Sequence, residues 1–250
     1  MHYKFLKKII GALGFKLIDK NLVKNERLLS KYSNLSVEKI LDNLFLKNHL
    51  KSIIQIGAND GIRFDVLNNF IKKYSPFVLF LEPIKSNFDD LKKNYSNQDN
   101  LIFENLAISV NNQINQLYKV KDDKLKYYDE HVIGITSFNK DHLIKHGIKK
   151  NHIIKVDVLS ISLKDLIKKH SIKSLDLMMI DTEGYDGHIV IDFLKNIEIR
   201  PIIIFEYIHI NNILLRDTLD LLKVKNYFFF KVDENIICIP REKSQKIQIF

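Results

Sequence analysis

The sequence predicts an α/β fold: a mostly parallel sheet with helices on both faces. Three observations predict it. Helix-like and strand-like patterns alternate from residue 36 onward, the strand-like runs are continuous and apolar, and the first of them stops in a glycine loop. Continuous apolar strands are those of a parallel sheet covered on both sides. The loop, Gly57-Ala58-Asn59-Asp60-Gly61, follows "SIIQI" at 52–56 and uses two of only eight glycines in the chain. Open α/β sheets bind ligands outside the carboxyl ends of their strands, and such a loop marks the place.

The elements follow in order. Ser36 is placed to cap a helix in "SVEKILDNLFLKN", whose apolar face is Ile40, Leu41, Leu44 and Leu46. After the strand at 52–56 come a helix from about 64 to 73, the strand "FVLFL" at 77–81, a helix at 85–96, a strand at 101–108 and an irregular extended piece at 113–120. Residues 121–150, rich in Lys, Asp and His, read as an insertion or lid. A strand at 152–160, the helix "ISLKDLIKKH" and a strand at 174–180 ending in "DTEGYDG" come next. A helix around 186–195, the strand "PIIIFEY" at 201–207 and a helix near 211–224 lead to the closing pair "YFFFKV" and "NIICI". Asp233-Glu234 makes that pair a hairpin, expected as an antiparallel edge of the sheet. The expected division is an N-terminal helical extension (1–49), one domain (50–240) and a C-terminal tail (241–250).

Composition narrows the classes. A chain of 250 residues, 46% of them hydrophobic, buries a full core and suits one α/β domain with an extension. The single Cys238 excludes an intrachain disulfide and a thiolate zinc site, and fits a cytoplasmic location. The formal charge of +9 comes mainly from lysine; arginine occurs only at 27, 63, 200, 216 and 241. Nucleic-acid readers favour the arginine fork, so the sequence argues against such a partner; the excess is compatible with genome bias or an anionic acceptor. No window approaches the roughly 18 apolar residues that span a bilayer. Phe5, Leu6, Ile9, Ile10 and Leu13 lie at helical spacing among Lys4, Lys7 and Lys8, which outlines a basic helix. It would make a weak membrane-surface contact, or pack on the body or a second subunit. No cleavage pattern follows it, so no signal peptide is expected. Nothing sets the oligomeric state.

The chemistry lies at the strand ends. "GANDG" lacks the third glycine of the dinucleotide fingerprint and the Lys-Ser/Thr of a P-loop, so a pyrophosphate cradle is not expected. Gly57 allows a turn without a Cβ clash, and Gly61 a close backbone approach. Glu82 ends the second strand, twenty-one residues past Gly61, where an acid accepts hydrogen bonds from ribose hydroxyls. Asn105 and Ala107 follow the third strand, placed to border an adenine. Asp181, Glu183 and Gly184 end the next, and Glu206, with His209 three residues on, ends the last. An acid-rich pocket suits a ligand with a positive centre.

Taken in order, "IQIGANDG", "LEP", "NLAIS", "LMMIDTEGYDGHIV" and "IIIFEY" resemble the FkbM-type family of S-adenosylmethionine-dependent methyltransferases over roughly residues 50–240. "IDTEGYD" is the most specific part. The resemblance implies the class I methyltransferase fold, Rossmann-like, with a seven-stranded sheet whose last strand is antiparallel. It also implies O-methylation, with a small-molecule or glycan hydroxyl as acceptor. It assigns S-adenosylmethionine to Gln55, Gly57, Ala58, Asn59, Asp60, Gly61, Glu82, Pro83, Asn105, Ala107 and Asp181. The loop would wrap the amino-acid part, Glu82 the ribose, and Asp181 the methionine moiety and acceptor. Gln55 and Asp60 depart from the Asp and hydrophobic residue of many members; Asp60 is expected to supply the missing charge.

Transfer to an alcohol needs the oxygen held in line with the methyl–sulfur bond at ~3 Å, and a base for its proton. The catalytic candidates are Asp181, His209, Glu206 and Glu183, with Asp181 or His209 as proton acceptor and Glu206 orienting. Against these stand a helix-capping role for Glu183 and a surface position for His209. Asp181, Glu206 and His209 are of metal-ligand type, but no further ligand spacing supports a site and no metal is expected. His142 and His146, at i, i+4, read as a solvated helix face, or else as part of a lid with "GITSF" at 134–138. Tyr127, Tyr128 and His131 are candidates to line a sugar there. Two other classes remain open: a catalytically silent nucleoside-binding or scaffold protein, and a nicotinamide-dependent oxidoreductase.

Overall fold

The structure, a computed structural model, describes residues 35–47, 49–110 and 116–244. The basic helix expected near the N-terminus, and the first residues of the extended piece at 113–120, lie outside them.

Helix α1 (Val37–Leu46) opens with Ser36, whose hydroxyl accepts from the Lys39 amide, and buries Ile40, Leu41, Leu44 and Phe45. The main sheet contains β1 (Ser52–Ile56), β2 (Phe77–Leu81), β3 (Leu101–Glu104), and then, after an accessory region, β8 (Leu177–Ile180), β9 (Ile202–Glu206), β10 (Tyr227–Val232) and β11 (Asn235–Pro240). Its order is β10-β11-β9-β8-β1-β2-β3. β11 runs antiparallel to both neighbours and the other strands are parallel. This is the seven-stranded sheet with an antiparallel last strand. The hairpin differs from the sequence reading in one respect: β11 inserts between β9 and β10, so the sheet's edge is the parallel strand β10. Insertion buries Ile236, Ile237, Cys238 and Ile239 on both faces, which an edge position would not.

Helices α2 (Asn68–Tyr74) and α3 (Lys85–Asn94) cover one face with α1. Here Leu41, Leu44, Ile71 and Leu91 pack on Ile53, Val78 and Phe80. Helices α6 (Leu163–Lys169), α7 (Asp186–Asn196) and α8 (Asn212–Val224) cover the other, where Leu166, Ile189, Phe193 and Leu222 meet Ile54, Met178 and Phe205. Residues 64–66, expected as the start of a helix, instead form the wall of a cavity, with Phe64 at φ 59°.

The middle of the chain departs most from the sequence reading. The expected strand 101–108 is broken into β3 and β4 (Ala107–Ile108), and 152–160 yields β6 (Ile153–Asp157), with β7 (Ser160–Ile161) following. β6 joins β5 (Gln116–Val120) in a separate antiparallel ribbon, and β4 pairs with β7. Between β5 and β6 lie α4 (Glu130–Ile133) and α5 (Lys140–Lys145), with a satellite core of Val120, Ile135, Leu143, Ile148 and Ile153. The insertion at 121–150 is therefore a packed subregion. The chain ends its described part in α9 (Arg241–Ser244), tied back by Arg200 to Glu242 at 2.6 Å. No described helix is long and apolar enough to cross a membrane.

Candidate active site

Strand register brings the candidate residues together. Ile56 is level with Leu81 on one side and Ile180 on the other, and Ile180 is level with Phe205. The next residue of each strand is thus in one row: Gly57, Glu82, Asp181 and Glu206. With neighbouring strands about 4.8 Å apart, that row spans roughly 14 Å. It crosses the point between β1 and β8 where strand order reverses, the place where such sheets bind ligands. A cavity of about 480 Å³ opens there, within the range of small-molecule sites.

Gly57 lies at φ 83°, and a Cβ on it would sit 1.8 Å from the Asp181 carbonyl oxygen. Its amide and that of Ala58 both donate to the Leu81 carbonyl. Asn59, at φ 49°, donates its amide to Glu82 Oε2 at 2.9 Å, and Ile84 donates to Oε1 at 2.8 Å. Glu82 is buried, and loss of water pushes its carboxyl up to about 7 against the pull of these two amides. Gln55, Gly57, Ala58, Asn59, Glu82, Pro83, Ala107 and Asp181 all line the cavity.

Three expected cofactor residues do not line it. The Asp60 carboxylate accepts from the amides of Ile62 and Arg63 and from Arg63 Nε at 2.6 Å, so its charge is matched by Arg63. Gly61 makes its close approach to Leu91 and Tyr95, not to a ligand, and its carbonyl accepts from Asn68. Asn105 turns its amide onto the carbonyls of Glu82 and Pro83 at 2.8 and 3.0 Å, bracing the loop from behind. In their place the cavity is walled by Arg63, Phe64, Asp65 and Phe138. Arg63 follows a glycine loop, and that position was a readable hint; the others depend on tertiary packing.

The acidic end is built on the turns that follow β8 and β9. Glu183 adopts φ 53°, and its carbonyl accepts from Ser137 Oγ. Asp186, at the start of α7, is fully buried, and its carboxylate accepts from Thr182 Oγ1 at 2.8 Å and from the Thr182 and Gly184 amides. It is the final acid of "IDTEGYD", and it shapes the turn that carries Glu183. Asp186→Ala is expected to lower stability by about 1–3 kcal/mol, as orphaned buried donors do. Asp186→Asn, which keeps an acceptor, should stay near wild type; urea unfolding of the two variants checks this.

Asp181 faces the open cavity, where water reaches it. The surrounding walls still raise its carboxyl to about 8, with repulsion from Asp186 and Glu183 adding. Burial first, then Asp181 and Glu183, push Glu206 up to about 9. His209 is lowered by burial, opposed by Glu183, so its imidazole is neutral near pH 7 and has a lone pair to offer. His209 Nε2 lies 3.5 Å from Glu183 Oε2 and 3.7 Å from Glu206 Oε2.

His142 and His146 are not on a solvated face. The His142 side chain is 11% exposed, with Nε2 at 2.9 Å from Glu183 Oε2, and its ring meets both His146 and His209. Their helix is folded inward by the satellite core, which sequence periodicity over so short a stretch does not reveal. Gly134, Ile135, Thr136 and Phe138 of "GITSF" also line the cavity. Tyr127 and Tyr128 do not: Tyr127 is exposed, and the Tyr128 hydroxyl meets His152 Nδ1 at 2.8 Å. The side chain of His131 lies outside the described residues.

Sheet order and a cavity at the switch point define a class I methyltransferase fold. The sequence model of the methyltransferase FkbM domain matches residues 55–229, and the chain belongs to that family. Its cofactor is S-adenosylmethionine. Among solved structures, the chain is similar to the methyltransferase FkbM from Methylobacillus flagellatus KT, with 12% identity, a TM-score of 0.44, and 76% of this chain and 44% of that one covered. It is similar also to the O-methyltransferase from Bacillus cereus in complex with SAH, with 10% identity, a TM-score of 0.45, and 93% and 95% covered. A third is the fibrillarin pre-rRNA processing protein of Methanococcus jannaschii, with 10% identity, a TM-score of 0.40, and 76% and 65% covered. The chain thus spans less than two thirds of the length of the first and third. No curated protein matches the sequence.

The cavity fits that cofactor on its own chemistry. Among the described residues, six buried side-chain polar atoms lack a hydrogen-bond partner, and four of them, Gln55 Oε1, Asn59 Oδ1, Asp65 Oδ2 and Glu206 Oε2, belong to residues lining this cavity. Gln55 Oε1, Asn59 Oδ1 and Asp65 Oδ2 are acceptors. Buried acceptors without donors call for a donor-bearing or cationic ligand, and S-adenosylmethionine brings an ammonium, a sulfonium and two ribose hydroxyls.

Proposed function

We propose that the protein is an S-adenosylmethionine-dependent methyltransferase that methylates a hydroxyl oxygen of a sugar, glycan or secondary metabolite. The observation that carries this reading is the shared cavity: Glu82, at one end, and Asp181, Glu206 and His209, at the other, all open onto it. Glu82 would hold the ribose hydroxyls, the 57–59 turn the amino-acid part, and Asp181 the boundary with the acceptor. The cofactor supplies an activated methyl group on a positive sulfur.

The residues of this chain then orient the acceptor and take its proton. Bound there, the cofactor would supply the methyl group to the acceptor oxygen and keep the electron pair of its carbon–sulfur bond. The hydroxyl proton passes to the His209, Glu183 and Glu206 group. His209 is the better acceptor at neutral pH, because burial lowers it and keeps its imidazole neutral.

The test is transfer from a ¹³C-methyl cofactor into a panel of sugars, hydroxylated metabolites and a cell extract, read by carbon NMR. Label in an O-methyl group is expected, and His209→Ala should reduce its rate by about 10²–10⁴-fold. Label on nitrogen would overturn the hydroxyl assignment. Cofactor binding with no transfer to any acceptor, extract included, would leave a binding or scaffold protein.

A further inference from the structure

The three histidines against Glu183 and Glu206 exceed what a proton acceptor needs. Ring centroids are 4.6 Å apart for His142 and His146, 4.4 Å for His142 and His209, and 5.1 Å for His146 and His209. One ring nitrogen from each lies within 4.8 Å of the others, and one oxygen each of Glu183 and Glu206 lies as close to that of His209. The donors come from separate parts of the fold: α5 and the residue after it, the turn after β8, and the end of β9 with its turn. A hydrogen bond between His142 Nε2 and Glu183 Oε2 at 2.9 Å joins two members of the group, and a cation would draw the other ring nitrogens and carboxylate oxygens onto one centre. Glu206 Oε2 is buried with no hydrogen bond.

We propose that His142, His146 and His209, with Glu183 and Glu206, bind one divalent transition-metal ion. Imidazole-rich sets select zinc and its neighbours, whereas magnesium and calcium prefer all-oxygen shells. Metal–nitrogen bonds of about 2.0–2.1 Å require these side chains to draw inward by on the order of 1 Å. The His142–His146 spacing of one helical turn is compatible with both rings reaching one ion. This departs from the sequence expectation of no metal, because nothing in the sequence joins α5 to the ends of β8 and β9.

The use of the ion rests on the methyltransferase reading. With the ion bound, His209 would be a ligand in place of the proton acceptor, and the ion would hold the acceptor oxygen and favour loss of its proton to Asp181. Binding itself is independent of that reading, so it is tested without cofactor or acceptor.

The full chain, without an affinity tag and dialysed against a chelator, is titrated with Zn²⁺ by calorimetry and with Co²⁺ by visible absorption. One ion per chain is expected, with d–d bands of a nitrogen-ligated Co²⁺. His142→Ala and His146→Ala should each weaken binding by at least about 10–100-fold, the loss that follows removal of even a supporting partner. His188→Ala, outside the cluster, should leave it unchanged. Absence of stoichiometric uptake, or uptake that survives the double variant His142→Ala/His146→Ala, overturns the proposal. Should that double variant not fold, His146→Gln, at a partly exposed ring, decides by the same criterion.

Discussion

Glu82→Gln is expected to weaken S-adenosylmethionine binding by about 100-fold or more. Two hydrogen bonds from ribose hydroxyls to a carboxylate contribute about 1.5–3 kcal/mol each, and about 1.4 kcal/mol is tenfold in affinity. Glutamine retains one acceptor oxygen but turns an amide donor toward Asn59 N or Ile84 N, both of which donate to Glu82. Thermal unfolding, measured alongside calorimetric titration, separates the loop effect from the ligand effect. A pH dependence follows too. Burial raises this carboxyl to about 7, and ribose donors favour its ionised form, so affinity should rise more steeply from pH 6 to 8 in the wild type than in the variant, where Asp181 still titrates. For stability the sign is opposite. The native carboxyl holds its proton more tightly than the unfolded one, so its contribution is fully present below about 4.5 and is lost as pH rises through about 7.

Gly57→Ala should be among the most disruptive single substitutions in the chain. At φ 83° an alanine adopts a conformation that costs about 1–2 kcal/mol, and its Cβ would lie 1.8 Å from the Asp181 carbonyl oxygen. Separating β1 from β8 at that point adds about 1–3 kcal/mol, for a total loss of about 2–5 kcal/mol in urea unfolding. Any folded fraction should bind cofactor poorly, because the same shift spreads Gly57 and Asp181 apart. Wild-type stability in this variant would show that the glycine serves no close approach.

The strand ends were legible because they are local: an apolar run ending in Gly57, Glu82, Asp181 or Glu206 reads the same in sequence as in the sheet. Register then converts four separate ends into one row. The insertion was not legible. Whether His142 faces water depends on Leu143, Ile148 and Ile153 forming a satellite core with Val120, a set of contacts that spans the region and leaves no periodic mark. Asp60 and Asn105 show a second limit. Residue type suggested ligand contact for both, but their polar atoms are taken by Arg63 and by the Glu82 and Pro83 carbonyls. Competition among nearby donors and acceptors settles such roles, and it is decided by tertiary packing.

The most direct test of the whole account is hydrogen–deuterium exchange of the wild-type protein with and without S-adenosylmethionine and its demethylated product. Added protection is expected at 55–59, 82–84 and 106–108, with either ligand, and little change at the far edge strand β10. Protection confined to other segments, or none at saturating ligand, would contradict the placement of the cofactor in this cavity.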